Sequence, residues 1–323
     1  MNHSHPFFAA LLSLALPMSI AAQEPVPEEP APQEQGEIDT PQDPSDPESQ
    51  QKKAEAVAAL VKALADQGVE LDLENRRVSL EVQVGRPTDP LEYLLITPRG
   101  KDHEALLVTE IQPSMLNAAF LTLGLEKGTN ASTKDIEPMP TEEEIRAGAP
   151  WFEVIPPEGQ KLFFSVEWSV EGENGELEQK RAPIEDWILD FSTERPLEEC
   201  EWIYLGGRMG PLNRGEDAVF LTDYTGDLIS LCYRDPANHL ITPRHEKANN
   251  DDIWWLTNVV PEPGTIVKLS IDLEETPMHR ERNERVKKER AERERQAFEE
   301  ADSSGGDGDG GEGGGTSEAD NDR

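Results

Sequence analysis

LEYLLITPRGKDHEALLVTEIQPSMLNAAFLTLGL, residues 91–125, is the most apolar run after the N-terminus, yet Lys101-Asp102-His103-Glu104 sits in its middle. Residues 91–97 read as a strand. Pro98-Arg99-Gly100 read as turn residues, proline fixing one backbone angle and glycine tolerating a strained one. Residues 104–111 read as a second strand, after which Pro113 and Ser114 can open a helix and Gly124 can close it. Met115, Leu116, Ala119, Phe120 and Leu123 cover more than one face of that helix, which predicts burial rather than a surface position. This unit is expected to nucleate the fold and to present the polar cluster at its rim.

Upstream, residues 49–67 form an amphipathic helix. Ser49 can cap it, Ala54, Val57, Leu60, Val61 and Leu64 keep helical spacing, and Gly68 stops it. Residues 69–73 and 78–84 alternate apolar and polar around a turn at 74–77, a hairpin with one buried face. Downstream, 129–150 is polar except for a short helix with Thr141 and Glu144 at capping-box spacing. Residues 162–170 alternate, and Glu173-Asn174-Gly175 turns them into a partner strand at 177–180. Further short strands fall at 187–191, 202–205, 219–222, 228–233 and 266–273. Between 222 and 228, Thr225-Gly226-Asp227 suits a hairpin turn.

The fold class expected is α+β, a β-rich core of antiparallel hairpins with a few packed helices, disordered acidic ends and a charged C-terminal helix. The segments are a signal peptide (1–22), a disordered acidic Pro/Glu linker (23–48), a helix plus an α+β unit (49–128), a connecting loop (129–150), a β-rich second half of the core (151–275), a charged solvent-exposed helix (276–301) and a disordered Gly/Asp tail (302–323).

The signal peptide rests on an apolar stretch at 7–16 followed by Met18-Ser19-Ile20-Ala21-Ala22, whose small residues suit cleavage after Ala21 or Ala22. No cysteine follows it to carry a lipid anchor, and no other stretch approaches the roughly 20 apolar residues that span a bilayer. The expected location is therefore exported, periplasmic or extracellular. Against 30 Lys and Arg stand 66 Asp and Glu, a net charge of −36, which repels nucleic acid and anionic lipid. In 276–301 Arg and Glu recur three and four apart, so many pairs of about 0.2–0.5 kcal/mol each can hold a helix with no apolar stripe.

Lys101, His103 and Glu104 are the leading catalytic candidates. His and Glu can exchange protons near neutral pH, and Lys can hold an anion beside them. Adjacent strand residues point to opposite faces, so His103 and Glu104 share a pocket only if the turn bends the chain between them. Otherwise Lys101 and Glu104 pair locally, with His103 on the surface. His239, His245 and Glu246 are weaker candidates for a metal site, which His103 could join across space, but no HExxH or CxxC spacing is present. No GxSxG elbow exists either. Cys200 and Cys232, the only cysteines, can bridge in an oxidising compartment or remain two small buried side chains.

The combination LEYLL, GKDHEALLV and Pro113 through LNAAFLTLGL resembles the YdjY domain, a module of exported bacterial proteins. The resemblance covers about 69–128. A weaker similarity to the planctomycete-type long form continues through WIYLGG and DYTGDLISL to Leu273. Leu91, Glu92, Gly100, Lys101, His103, Glu104, Pro113, Leu116 and Gly124 carry the matching spacing. The resemblance implies export and no assigned reaction. A ferredoxin-like label on some members does not transfer, because an iron–sulfur cluster needs four thiolates and this chain has two cysteines. No cofactor is expected. The function expected is an envelope-associated binding or structural module with an envelope or protein partner. The alternative is a hydrolase or isomerase using residues 101–104. The two differ in whether Lys101, His103 and Glu104 converge in a closed pocket or splay over open surface.

Overall fold

A computed structural model describes residues 47–172 and 174–304. The expected signal peptide, the acidic linker up to residue 46 and the tail from 305 lie outside the described residues.

The described part opens with α1 (Pro47–Ala65), whose Leu64 is buried, and Gly68 follows its end. β1 (Val69–Asp72) and β2 (Arg77–Val84) pair antiparallel, Val69 opposite Leu80, because alternation gives each strand one apolar face. β3 (Tyr93–Ile96) and β4 (Ala105–Val108) follow, then α2 (Pro113–Thr122) with proline in its first turn. β3 and β4 are parallel, Tyr93 opposite Ala105, so residues 97–104 form a crossover and the Pro98-Arg99-Gly100 turn is not a hairpin. β5 (Ser132–Asp135) and β6 (Phe152–Ile155) pair around α3 (Glu142–Arg146), which has the predicted capping box between Thr141 and Glu144. β7 (Lys161–Glu171) and β8 (Leu177–Pro183) form the predicted hairpin.

Shorter strands follow: β9 (Ile188–Asp190), β10 (Arg195–Pro196), β11 (Glu201–Tyr204), β12 (Met209–Gly210) and β13 (Val219–Phe220). Next come α4 (Thr222–Thr225), β14 (Asp227–Ser230), β15 (Ile241–Arg244), β16 (Trp254–Leu256), β17 (Ile266–Asp272) and α5 (Pro277–Ser304). The hairpin turn expected at 225–227 is instead the end of α4, closed by Gly226 at φ 79°. β13 pairs with β12, not with β14. The reason is tertiary: Thr97 N–H donates to Gly226 O at 2.7 Å, and a Cβ on Gly226 would lie 2.6 Å from Gly100 N. Only glycine allows that approach and that backbone angle.

Eight strands close on themselves in the order β2-β17-β7-β11-β15-β14-β3-β4, and β4 returns to β2 through Gln83–Val108 and Val84–Leu107. β14–β15 and β3–β4 are parallel; the other barrel pairings are antiparallel. A barrel of eight strands is just wide enough to be filled by side chains. One core cluster duly takes Leu80, Leu95, Leu107, Phe164, Trp202, Ile229, Ile241 and Leu269, one from each barrel strand. Each such burial contributes about 1.5–3 kcal/mol. α2 adds Leu116, Ala119 and Phe120 to the same cluster, with Phe120 edge-on to Tyr204 at 5.5 Å and Asn117 accepting from the Tyr204 hydroxyl at 2.6 Å.

Most of α5 is solvated, but one stripe is not. His279, Arg282 and Val286 are buried; His279 Nε2 meets Phe164 O at 2.9 Å, and Arg282 donates to Asp186 at 2.7 Å and to Leu197 O at 2.6 Å. No helix among the described residues is long and apolar enough to cross a membrane.

Candidate functional site

The site is built by the crossover between the two parallel strands. Its backbone turns tightly, Gly100 N–H donating to Thr97 O at 2.9 Å. A Cβ on Gly100 would lie 2.8 Å from Ile96 Cβ and 2.9 Å from Asp227 Oδ1, so a larger residue would push the loop off the strand. Tyr93, Ile96 and Ala105 form a small apolar cluster of their own, separate from the main core. Over it the chain delivers Lys101, whose Nζ reaches Glu92 Oε2 and Glu104 Oε2, each at 2.8 Å. Arg234, from the segment after β14, pairs with the same Glu92 oxygen and approaches Asp251 at 3.6 Å. Lys101 Nζ and the Arg234 guanidinium carbon lie 5.9 and 5.7 Å from the Tyr93 ring centroid, within cation–π range.

Three chain segments are thus joined through Glu92, and the electrostatics follow. Burial alone would raise the Glu92 carboxyl, but hydrogen bonds from Lys101 and Arg234 outweigh it and hold the group at about 2. Burial opposes the charge of Lys101 as well, yet its two carboxylate partners raise it above the ordinary lysine value. Tyr93 is pushed up to about 12, chiefly by burial. Asp227, the first residue of β14, is the exception. Burial lifts it to about 6 against the pull of Lys101 and Arg234, and its Oδ1 has no hydrogen-bond partner.

Of the three candidates, Lys101 and Glu104 meet and His103 stands at the edge. A 3-10 turn at Asp102–Glu104 bends the chain between them. The imidazole is half exposed, with Nε2 3.5 Å from Glu104 Oε1 and Nδ1 3.6 Å from Asp102 Oδ1. Both distances exceed hydrogen-bond length. Lys101 hydrogen-bonds Glu92 and Glu104, and Arg234 ion-pairs with Glu92 while its Nε and Nη2 have no hydrogen-bond partner among the described residues, so the arrangement ties the crossover to β3 and to the segment after β14.

The other candidates are dispersed. His239 is fully buried, its Nε2 unpartnered, and burial pushes it down to about 4, so it is neutral. His245 accepts from Lys247 N–H through Nδ1 at 3.1 Å and stands edge-on to Trp254, while Glu246 is exposed. Among the described residues no three His, Cys, Asp or Glu side chains are placed to hold a metal ion. Cys200 and Cys232 are free thiols, not a disulfide. They flank β11 and β14, and β15 runs between those strands. Two sheet spacings make about 10 Å, beyond the roughly 7 Å that a bridge allows.

Reading by residue type missed Glu92, Tyr93, Asp227 and Arg234. Glu92 and Tyr93 carried one signal, a polar pair inside the apolar run at 91–97; Arg234 carried none.

The fold and the site define a class: a closed eight-stranded mixed barrel whose parallel crossover is clasped by ion pairs. The chain belongs to the YdjY domain family, whose model matches residues 69–272, taking in every strand from β1 to β17. No curated protein and no solved structure gives a significant match to it.

Proposed function

We propose that this protein is an exported, envelope-associated binding or structural module. Its export reading comes from the apolar 7–16 stretch and the small residues that follow it. The module reading is supported by the ion pairs of Lys101 with Glu92 and Glu104 and of Arg234 with Glu92, which engage these side chains with one another. The His103 imidazole has no side chain within about 3.2 Å among the described residues to orient it. The hydrolase or isomerase reading draws on one observation, the approach of His103 Nε2 to Glu104 Oε1, the oxygen that Lys101 does not hold.

Two measurements on the native protein test the proposal. N-terminal sequencing of envelope-fraction material should begin at Ala22 or Gln23; an intact Met1 on cytosolic protein would overturn export. Native mass spectrometry of wild type and His103→Ala should show the same co-purifying ligand or partner. Its loss from a variant that melts like wild type would favour the enzyme.

A further inference from the structure

We propose that the cleft between α5 and the end of β15 binds a small zwitterion, an amino acid or short peptide carrying both a carboxylate and an ammonium group. This deepens the binding half of the reading above and does not depend on export.

The cleft has a volume of about 720 Å³, within the range of small-ligand sites, and basic and acidic side chains line it in equal number. Most of them already pair across its walls. Lys247 holds Asp190 at 2.6 Å, Arg293 holds Glu198 at 2.8 Å, and Arg290 holds Glu199 at 2.6 Å. These pairs make a fixed frame that joins α5 to the loops around β10.

Three consecutive residues break the pattern. Among the described residues the only ion pair of the Arg244 guanidinium is with Glu201, at 3.7 Å, and no side-chain hydrogen bond of Arg244 occurs among them. His245 has its Nδ1 occupied by the Lys247 N–H, which leaves the proton on Nε2, and no partner for that donor occurs among the described residues. Burial keeps the ring neutral, and the Tyr233 hydroxyl donates to its carbonyl at 3.1 Å, holding the loop. Glu246 has no ion pair or hydrogen bond among the described residues. All three line the cleft.

A planar guanidinium beside a neutral N–H donor suits a carboxylate, and a solvent-exposed carboxylate two residues away suits an ammonium group. The long-range field argues against a simple anion. A chain of net charge −36 repels a simple anion, whereas a zwitterion carries no net charge and meets no such barrier.

The test is calorimetric titration of the purified full chain with L-alanyl-L-alanine, N-acetyl-L-alanine and L-alaninamide, the last two each lacking one of the charges. The dipeptide should bind with a Kd below about 1 mM, and each singly charged probe at least about tenfold more weakly. Arg244→Gln and Glu246→Gln should each weaken the dipeptide at least about tenfold, with Arg244→Lys recovering part of the loss. Both positions are exposed, so melting temperatures should match wild type. Equal binding of dipeptide and N-acetyl-alanine would overturn the zwitterion, whatever the variants do. No heat from the dipeptide up to about 10 mM, or binding that survives Arg244→Gln, would overturn the site. Either failure leaves the sequencing result on export untouched.

Discussion

At Asp227 burial and two neighbouring cations act in opposite directions, and burial wins, lifting the carboxyl to about 6 from an ordinary 3.8. The folded form therefore holds its proton where the unfolded chain has lost it. Its contribution is favourable below about pH 3.8 and is lost as pH rises through about 6. Asp227→Asn should remove that loss. Full conversion of the shift would be about 3 kcal/mol, and partial exposure reduces the gain expected at pH 7 to about 1–2 kcal/mol. His239 acts the other way: its value is depressed to about 4, so stability falls as pH drops from about 6.5 through 4. Urea midpoints of variant and wild type should thus be compared at each pH, and should diverge between pH 4 and 7. An Asn variant no more stable than wild type at pH 7 would contradict this account. Gly226→Ala is the steric counterpart. It forces a side chain into the left-handed region and against Gly100, and should destabilise by at least about 1–2 kcal/mol in the same assay.

Helix α2 shows how an element can be read and its support missed. Pro113 and Gly124 mark its ends in the sequence, but Ser114 does not cap it. Asp223, far along the chain, accepts from Ser114 N–H at 2.8 Å and from the Gln112 side chain at 3.1 Å. Asp223→Ala should cost about 1 kcal/mol and speed hydrogen exchange in the first turn of α2; unchanged exchange there would exclude the cap. Helix α5 divides along its stripe. Arg282→Ala removes a buried guanidinium from Asp186 and Leu197 O and should cost about 2–3 kcal/mol. Arg295→Ala, on the solvated face, should stay within about 0.5 kcal/mol of wild type in the same melts. Equal costs would mean that the helix does not dock. Its charge periodicity concealed this face, because Val286 is the one apolar residue buried beside His279 and Arg282, too little to read as a stripe.

Over the whole molecule, what was legible was local. Alternation marked most barrel strands, and turn residues marked the β1–β2 and β7–β8 hairpins, because those signals lie within a few residues of one another. Barrel closure was not legible: β17 meets β2 and β14 meets β3 from far apart in the chain, and period-two patterning names a strand's buried face but not its neighbour. The candidate site failed in the same way. Lys101 and Glu104 are close in sequence and were found, whereas Arg234 and Asp227 arrive only through the fold. The central claim is that this cluster clasps the barrel's crossover. Thermal melting of the full chain with Glu92→Gln beside His103→Ala tests it most directly. Glu92→Gln removes the charge shared by Lys101 and Arg234 and should cost about 1–3 kcal/mol, while His103→Ala should stay within about 0.5 kcal/mol of wild type. A Glu92→Gln variant that melts like wild type, or a His103→Ala loss of equal size, would contradict the clasp.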